Sequence, residues 1–169
     1  MSTMSEYDVG MDEVDGTVRW LDDDEREAWR NLQLMHLQLT GLLGRELAGD
    51  GLSYPDYLVL AGLSDTPEGR ARPSELGIAL GWEKSRLSHQ VRRMEQRGLV
   101  ERVACPTDQR GSFVAFTEAG RRAIEQAAPG HVAVVRRHFI DLLTRQQLAT
   151  LDEVARIVLE HLPAGDCDG

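Results

Sequence analysis

Two glycines, Gly81 and Gly98, bracket a segment that reads as one helix, EKSRLSHQVRRMEQR from Glu83 to Arg97. Glycine readily adopts the left-handed backbone that ends helices, so each of these residues punctuates the chain. With Leu87 as the zero of a helical wheel at about 100° per residue, Val91 and Met94 fall within about 40° of it. These three form one narrow apolar edge. Ser85, His89, Arg92, Arg93 and Gln96 point away from it, an outward face of groups that hydrogen-bond to base edges or phosphates. Between Gly81 and Arg102 six side chains are cationic and three acidic, in a chain of 169 residues whose formal charge is −9.

That contrast is a matter of distribution. Residues 70 to 122 hold eleven Lys or Arg against six Asp or Glu, and the remainder holds eight against 22. A polyanion is repelled by most of such a surface and drawn to one part of it, which orients its approach. The same composition excludes other classes. No apolar run approaches the roughly 20 residues that span a bilayer, and the acidic start MSTMSEYDVGMDEVDG lacks the charged and apolar regions of a secretory signal. The expectation is a cytoplasmic protein without membrane insertion. Cys105 and Cys167 stand far apart, which suits neither a disulfide framework nor a zinc site.

Along the chain, residues 1–21 read as a flexible acidic tail, because few large apolar groups stand among the eight carboxylates of the first 24 residues to offset the entropy of ordering them. Asp22-Asp23-Asp24 suits the positive end of a helix. Trp29, Leu32, His36, Leu39 and Leu43 then recur at steps of three and four, giving a long amphipathic helix over 22–50. Ser53-Tyr-Pro-Asp56 opens a second helix to about Leu63, and Arg72-Pro-Ser-Glu75 a third, short one stopped by Gly81. After the basic helix, two strand-like runs, 99–104 and 112–116, flank a turn-rich loop at 105–111 and form a hairpin. Thr117 caps a fifth helix expected to bend at Pro129 and continue to Leu143. Thr144-Arg-Gln-Gln147 is a capping box for a sixth helix carrying Leu148, Leu151, Val154, Val158 and Leu162. Residues 163–169 should fray.

A short helix, a tight turn at Gly81-Trp82 and a basic helix make a helix-turn-helix with the fourth helix as reader. Its contact residues are Lys84, Ser85, Arg86, Ser88, His89, Arg92 and Arg93. The hairpin adds Asp108, Arg110 and Gly111, with Arg110 on a narrow protrusion suited to a minor groove. Catalytic motifs find no support. Gly77 to Ser85 lacks the spacing of a phosphate-binding loop, and no Gly-x-Ser-x-Gly, Cys-x-x-Cys or His-Glu-x-x-His occurs. No enzyme, metal site or cofactor is expected.

The order Leu76-Gly-x-x-Leu80-Gly, Ser85-Arg-Leu-Ser-His89, Gly98-Leu-Val-Glu-Arg102, Asp108-x-Arg110 and Phe116-Thr-Glu-Ala-Gly120 resembles the MarR family of winged helix-turn-helix transcriptional regulators. The family usually has Leu where this chain has Phe116, and the acidic N-terminal extension is outside its pattern. The resemblance implies a mainly α fold with a small β-hairpin wing, in which a winged lobe over 51–128 is joined to dimerisation helices at 22–50 and 129–162. It further implies a homodimer on palindromic double-stranded DNA, a repressor released by a small aromatic or amphipathic ligand, with Trp29 and His36 able to line the ligand crevice. Independently, helices one, five and six are long and apolar-striped yet flank a winged lobe expected to need none of them for its core, so their surplus apolar faces call for a partner. Cys105 near arginines could act as a redox switch, although peroxide sensors of this family are similar in placing the cysteine near the first helix. A winged-helix module that binds protein and not DNA is the alternative.

Overall fold

A computed structural model describes residues 18–66, 68–105 and 108–163, with the side chains of 105 and 108–111 outside the description. The chain forms α1 (Asp23–Gly49), α2 (Tyr54–Ser64), β1 (Arg70–Ala71), α3 (Pro73–Leu80), α4 (Lys84–Gln96), β2 (Val100–Cys105), β3 (Asp108–Phe116), α5 (Glu118–His138), a 3-10 turn (Ile140–Leu142) and α6 (Arg145–His161). It divides into two compact units, residues 1–37 and 38–169. The expected tails at 1–21 and 163–169 lie almost wholly outside the described residues. Among those described, no helix is long and apolar enough to cross a membrane.

Local chemistry explains most boundaries. Ser53 and Asp56 form the anticipated capping box: the Asp56 amide donates to the Ser53 hydroxyl at 3.2 Å, and the Ser53 amide to the Asp56 carboxylate at 2.8 Å. Thr144 and Gln147 repeat it at α6. Three helix ends share one device. The amides of Leu52, Trp82 and Leu99 reach back five residues to the carbonyls of Leu47, Gly77 and Met94, each across a glycine at positive φ, Gly51, Gly81 and Gly98. This closure satisfies carbonyls that a helix end leaves unpaired.

The sheet is antiparallel in the order β1-β3-β2. Arg70 and Ala71 pair with Ala115 and Val114, adding a third strand to the expected hairpin. Two residues carry no readable alternation, which is why sequence gave no sign of β1. The hairpin is also longer than expected. Its ladder runs on through an irregularity after Ala104 to pair Cys105 with Asp108, so residues 108–111 are strand where a loop was anticipated.

The core gathers Leu52, Val59, Leu60 and Leu63 from the α1–α2 turn and α2, Leu76 from α3, Leu87, Val91 and Met94 from α4, and Val100 and Val114 from the sheet. Leu47 of α1 and Ile124 and Ala127 of α5 belong to the same cluster. This corrects the expectation that the winged lobe needs none of the long helices for its core. The hairpin and three short helices leave one flank open, and the first half of α5 closes it. A second correction concerns the end of α5. The helix passes through Pro129 but stops at His138, and Phe139, at φ −143 and ψ −67, turns the chain into the 3-10 segment. An ion pair between Arg136 and Asp141 at 2.5 Å spans this break, at a spacing of five that a continuous helix does not bring together.

Candidate nucleic-acid interface

Helix α4 is amphipathic in the sense anticipated. Leu87, Val91 and Met94 are buried, and Lys84, Ser85, Arg86, His89, Arg92 and Arg93 are exposed, with Ser88 partly so. The exposed groups share one helix, so the α4 part of the predicted contact set lies together in space. Among the described residues neither Arg92 nor Arg93 has a carboxylate partner. Their charge is therefore not neutralised by any described carboxylate. Arg102, just beyond the helix, is engaged instead with Glu95 at 3.3 Å.

Two features around α4 were not legible in the sequence. The Arg86 guanidinium carbon lies 4.4 Å from the centroid of the Trp82 ring, and Trp82 itself is 7% exposed. A buried indole thus offers its electron-rich face to the arginine and limits where the guanidinium can swing. The turn that places Trp82 is tight: a Cβ on Gly77 would stand 3.1 Å from the Trp82 carbonyl oxygen.

The second feature lies on the inner side. Gln90 is 8% exposed and Asp56 only 2%. The Gln90 amide donates to Oδ1 of Asp56 at 2.6 Å, and Arg97 donates through Nη1 to Oδ2 at 2.6 Å and through Nη2 to the Gly51 carbonyl. Burial alone would raise the Asp56 pKa, but hydrogen bonds from Ser53 and Arg97 and the arginine charge together leave it below the usual carboxylate value. It is ionised at neutral pH. Gln90 and Arg97 stand 34 and 41 residues from Asp56, so no local pattern announces the network.

The wing residues Asp108, Arg110 and Gly111 have their backbone in β3, while their side chains and that of Cys105 lie outside the described residues. At the base of the wing the Phe113 ring meets two cations, with the guanidinium carbons of Arg70 and Arg72 at 5.1 and 5.4 Å from its centroid. Trp29 and His36 are exposed on α1. Among the described residues no group of three or more His, Cys, Asp or Glu is disposed to hold a metal ion.

A basic helix borne on a helix-turn-helix, followed by an antiparallel hairpin, is a winged-helix arrangement, and comparison with known proteins agrees. Residues 50–111 match the model of the MarR family. The crystal structure of AbsC, a MarR family transcriptional regulator from Streptomyces coelicolor, superposes with a TM-score of 0.82 at 44% identity, covering 85% of this chain and 97% of that one. The chain belongs to the MarR family. Sco3205, a MarR family transcriptional regulator of the same organism solved in complex with DNA, gives a TM-score of 0.83 at 36% identity over 90% of this chain and 98% of that one. The transcriptional repressor MprA of Escherichia coli (strain K12) is 26% identical over 137 residues, 80% of this chain and 77% of its own. As a MarR family member the protein is a transcriptional regulator of winged-helix fold, and not an enzyme.

Proposed function

We propose that this MarR family protein is a homodimeric repressor that reads a palindromic double-stranded operator. Arg86, Ser85, Ser88 and His89 near the start of α4 meet base edges, while Lys84, Arg92 and Arg93 meet flanking phosphates. Asp108, Arg110 and Gly111 of the wing take the adjacent minor groove. The observation that carries the reading is the exposed cationic face of α4, whose two central arginines have no acidic partner among the described residues. The DNA complex of Sco3205, at 36% identity, supports it, and the name of MprA supports repression.

Dimerisation rests on apolar surface. No residue of α6 is buried, and Val154, Ile157, Val158, Leu159 and Leu162 are each half exposed or more. On α1, Trp29, Leu32, Leu34, Met35 and Leu37 are likewise exposed. Water-facing stripes of this size on two helices are stabilised by a second copy. A two-fold dimer then sets its α4 helices about one DNA turn apart, roughly 34 to 36 Å. A small aromatic or amphipathic acid that engages Trp29 and His36 favours a spacing that no longer fits successive grooves, and so releases the operator. As a reader of double-stranded DNA, it is proposed to act in the cytoplasm.

The test is selection of bound fragments from random duplex DNA, followed by affinity measured against salt. Phosphate contacts make affinity fall steeply as salt rises. A module serving only protein contacts enriches no fragment and shows no such slope. Titration with phenolic acids, read by Trp fluorescence together with operator release, tests the effector; silence in both removes it.

A further inference from the structure

We infer that Asp56 is a positioning residue for DNA reading, setting the rotation of α4 about its own axis through Gln90 and Arg97. The inference rests on the operator-reading role proposed for α4. Asp56 itself is buried and on another helix, so it touches no DNA.

The apolar edge of α4 does not suffice to hold the helix in one orientation. Contacts of Leu87, Val91 and Met94 with the core are favourable but non-directional. Hydrogen bonds and ion pairs are directional and weaken steeply when misaligned. Gln90 and Arg97 are seven residues apart, hence close to one edge of the helix and about 10 Å apart along its axis. Each engages a different oxygen of the same carboxylate, both at 2.6 Å. Two anchor points separated by two turns resist both rotation and sliding.

The anchor on the other side is equally defined. Asp56 is held by the Ser53 amide within the α2 capping box, and Arg97 also binds the Gly51 carbonyl. The reader helix is thereby tied to the turn between α1 and α2. Rotating α4 by about 20° would carry a side chain at the helix surface, about 6 Å from the axis, through about 2 Å. That displacement exceeds the tolerance of a hydrogen bond to a base edge. Phosphate contacts made by long, flexible arginines survive it more easily. Loss of the network should therefore cost sequence discrimination before it costs overall attraction to DNA.

The experiment uses the full chain, the duplex most enriched by wild type from random DNA, and the same duplex with one half-site base pair changed. Affinities are measured at a temperature where melting curves show every variant folded. Asp56→Asn keeps the size of the side chain and an acceptor for Gln90 but removes the charge that holds Arg97. Wild type should discriminate the two duplexes by about tenfold or more, and Asp56→Asn by less than about threefold, with affinity for unrelated DNA unchanged. Gln90→Met and Arg97→Lys each break one arm and should act in the same direction, which keeps the test available if Asp56→Asn does not fold. A discrimination ratio equal to wild type in folded variants, whatever their melting temperature, overturns the inference and leaves a structural role only. Enrichment of no duplex by wild type overturns instead the functional reading on which it rests.

Discussion

Gly120 stands so close to Leu99 that a Cβ built on it would lie 1.9 Å from the Leu99 carbonyl oxygen. Around that contact the Thr117 amide donates to the same carbonyl at 3.2 Å, and its hydroxyl to the Gly98 carbonyl at 2.6 Å. The first turn of α5 is thus seated on the turn that ends the reader helix. Gly120→Ala should push the two apart and destabilise the protein by roughly 3 kcal/mol, as overpacking of a fixed backbone contact does. Chemical denaturation checks it, and a midpoint equal to wild type would contradict the contact.

Base readout and phosphate attraction separate by mutation. Arg86→Ala or His89→Ala should change which duplex is preferred, at a cost of about 1 to 3 kcal/mol on the best one. Arg93→Ala or Arg110→Ala should weaken all duplexes alike and flatten the salt dependence. Binding titrations on cognate and scrambled duplexes distinguish the two patterns. Equal losses on every sequence for all four changes would refute the division.

The stacking of Arg86 on Trp82 adds a finer expectation. Trp82→Leu preserves an apolar side chain but withdraws the ring face, leaving Arg86 with more rotamer freedom to lose on binding. Discrimination at the base pair read by Arg86 should fall several-fold, about 1 kcal/mol for an exposed cation–π contact. The double variant Trp82→Leu/Arg86→Ala should lose no more discrimination there than Arg86→Ala alone. Additive losses would show that the two residues act independently.

His131 of α5 packs its ring on Tyr57 of α2, with centroids 4.1 Å apart. Its buried Nδ1 has no hydrogen-bond partner among the described residues, and burial holds its pKa below the ordinary histidine value. The unfolded chain therefore takes up the proton first, and stability is full above about pH 6.5 and declines as pH falls below it. Asp56, with its lowered pKa, contributes in a separate window: its stabilisation is present above the usual carboxylate value of about 3.9 and is lost only as pH falls further. His131→Phe keeps a ring on Tyr57 and should flatten the urea midpoint between about pH 7 and 5. An unchanged slope would assign that pH dependence elsewhere.

Assembly is tested on α6. Val158 is 51% exposed on a helix without a buried residue. Val158→Asp should shift the mass measured by light scattering from dimer to monomer while leaving the far-ultraviolet helical signal of the winged lobe intact. It should also weaken operator binding by about tenfold or more, because two tethered readers bind far more tightly than one. A variant that remains dimeric would remove α6 from the interface.

Where an instruction is local, the residues alone carried it. The stops at Gly81 and Gly98, the boxes at Ser53 and Thr144, and the inward edge of α4 depend on groups within five positions or two turns of one another, so spacing and residue type determined them without reference to the rest of the chain. Even the cationic outer face of α4 follows once Leu87, Val91 and Met94 are turned inward. What only the tertiary structure decided involves partners that sequence does not place together. Asp56 is found by Gln90 and Arg97 from 34 and 41 positions away, β1 exists because β3 offers it an edge, and Ile124 and Ala127 join a core whose open flank no periodicity discloses. The 3-10 segment after Phe139 belongs with these, since apolar spacing continues across it while the backbone does not. Short-range hydrogen bonding and amphipathic period are written into neighbouring residues; long-range pairing is chosen by which buried polar group finds its partner once the helices have packed.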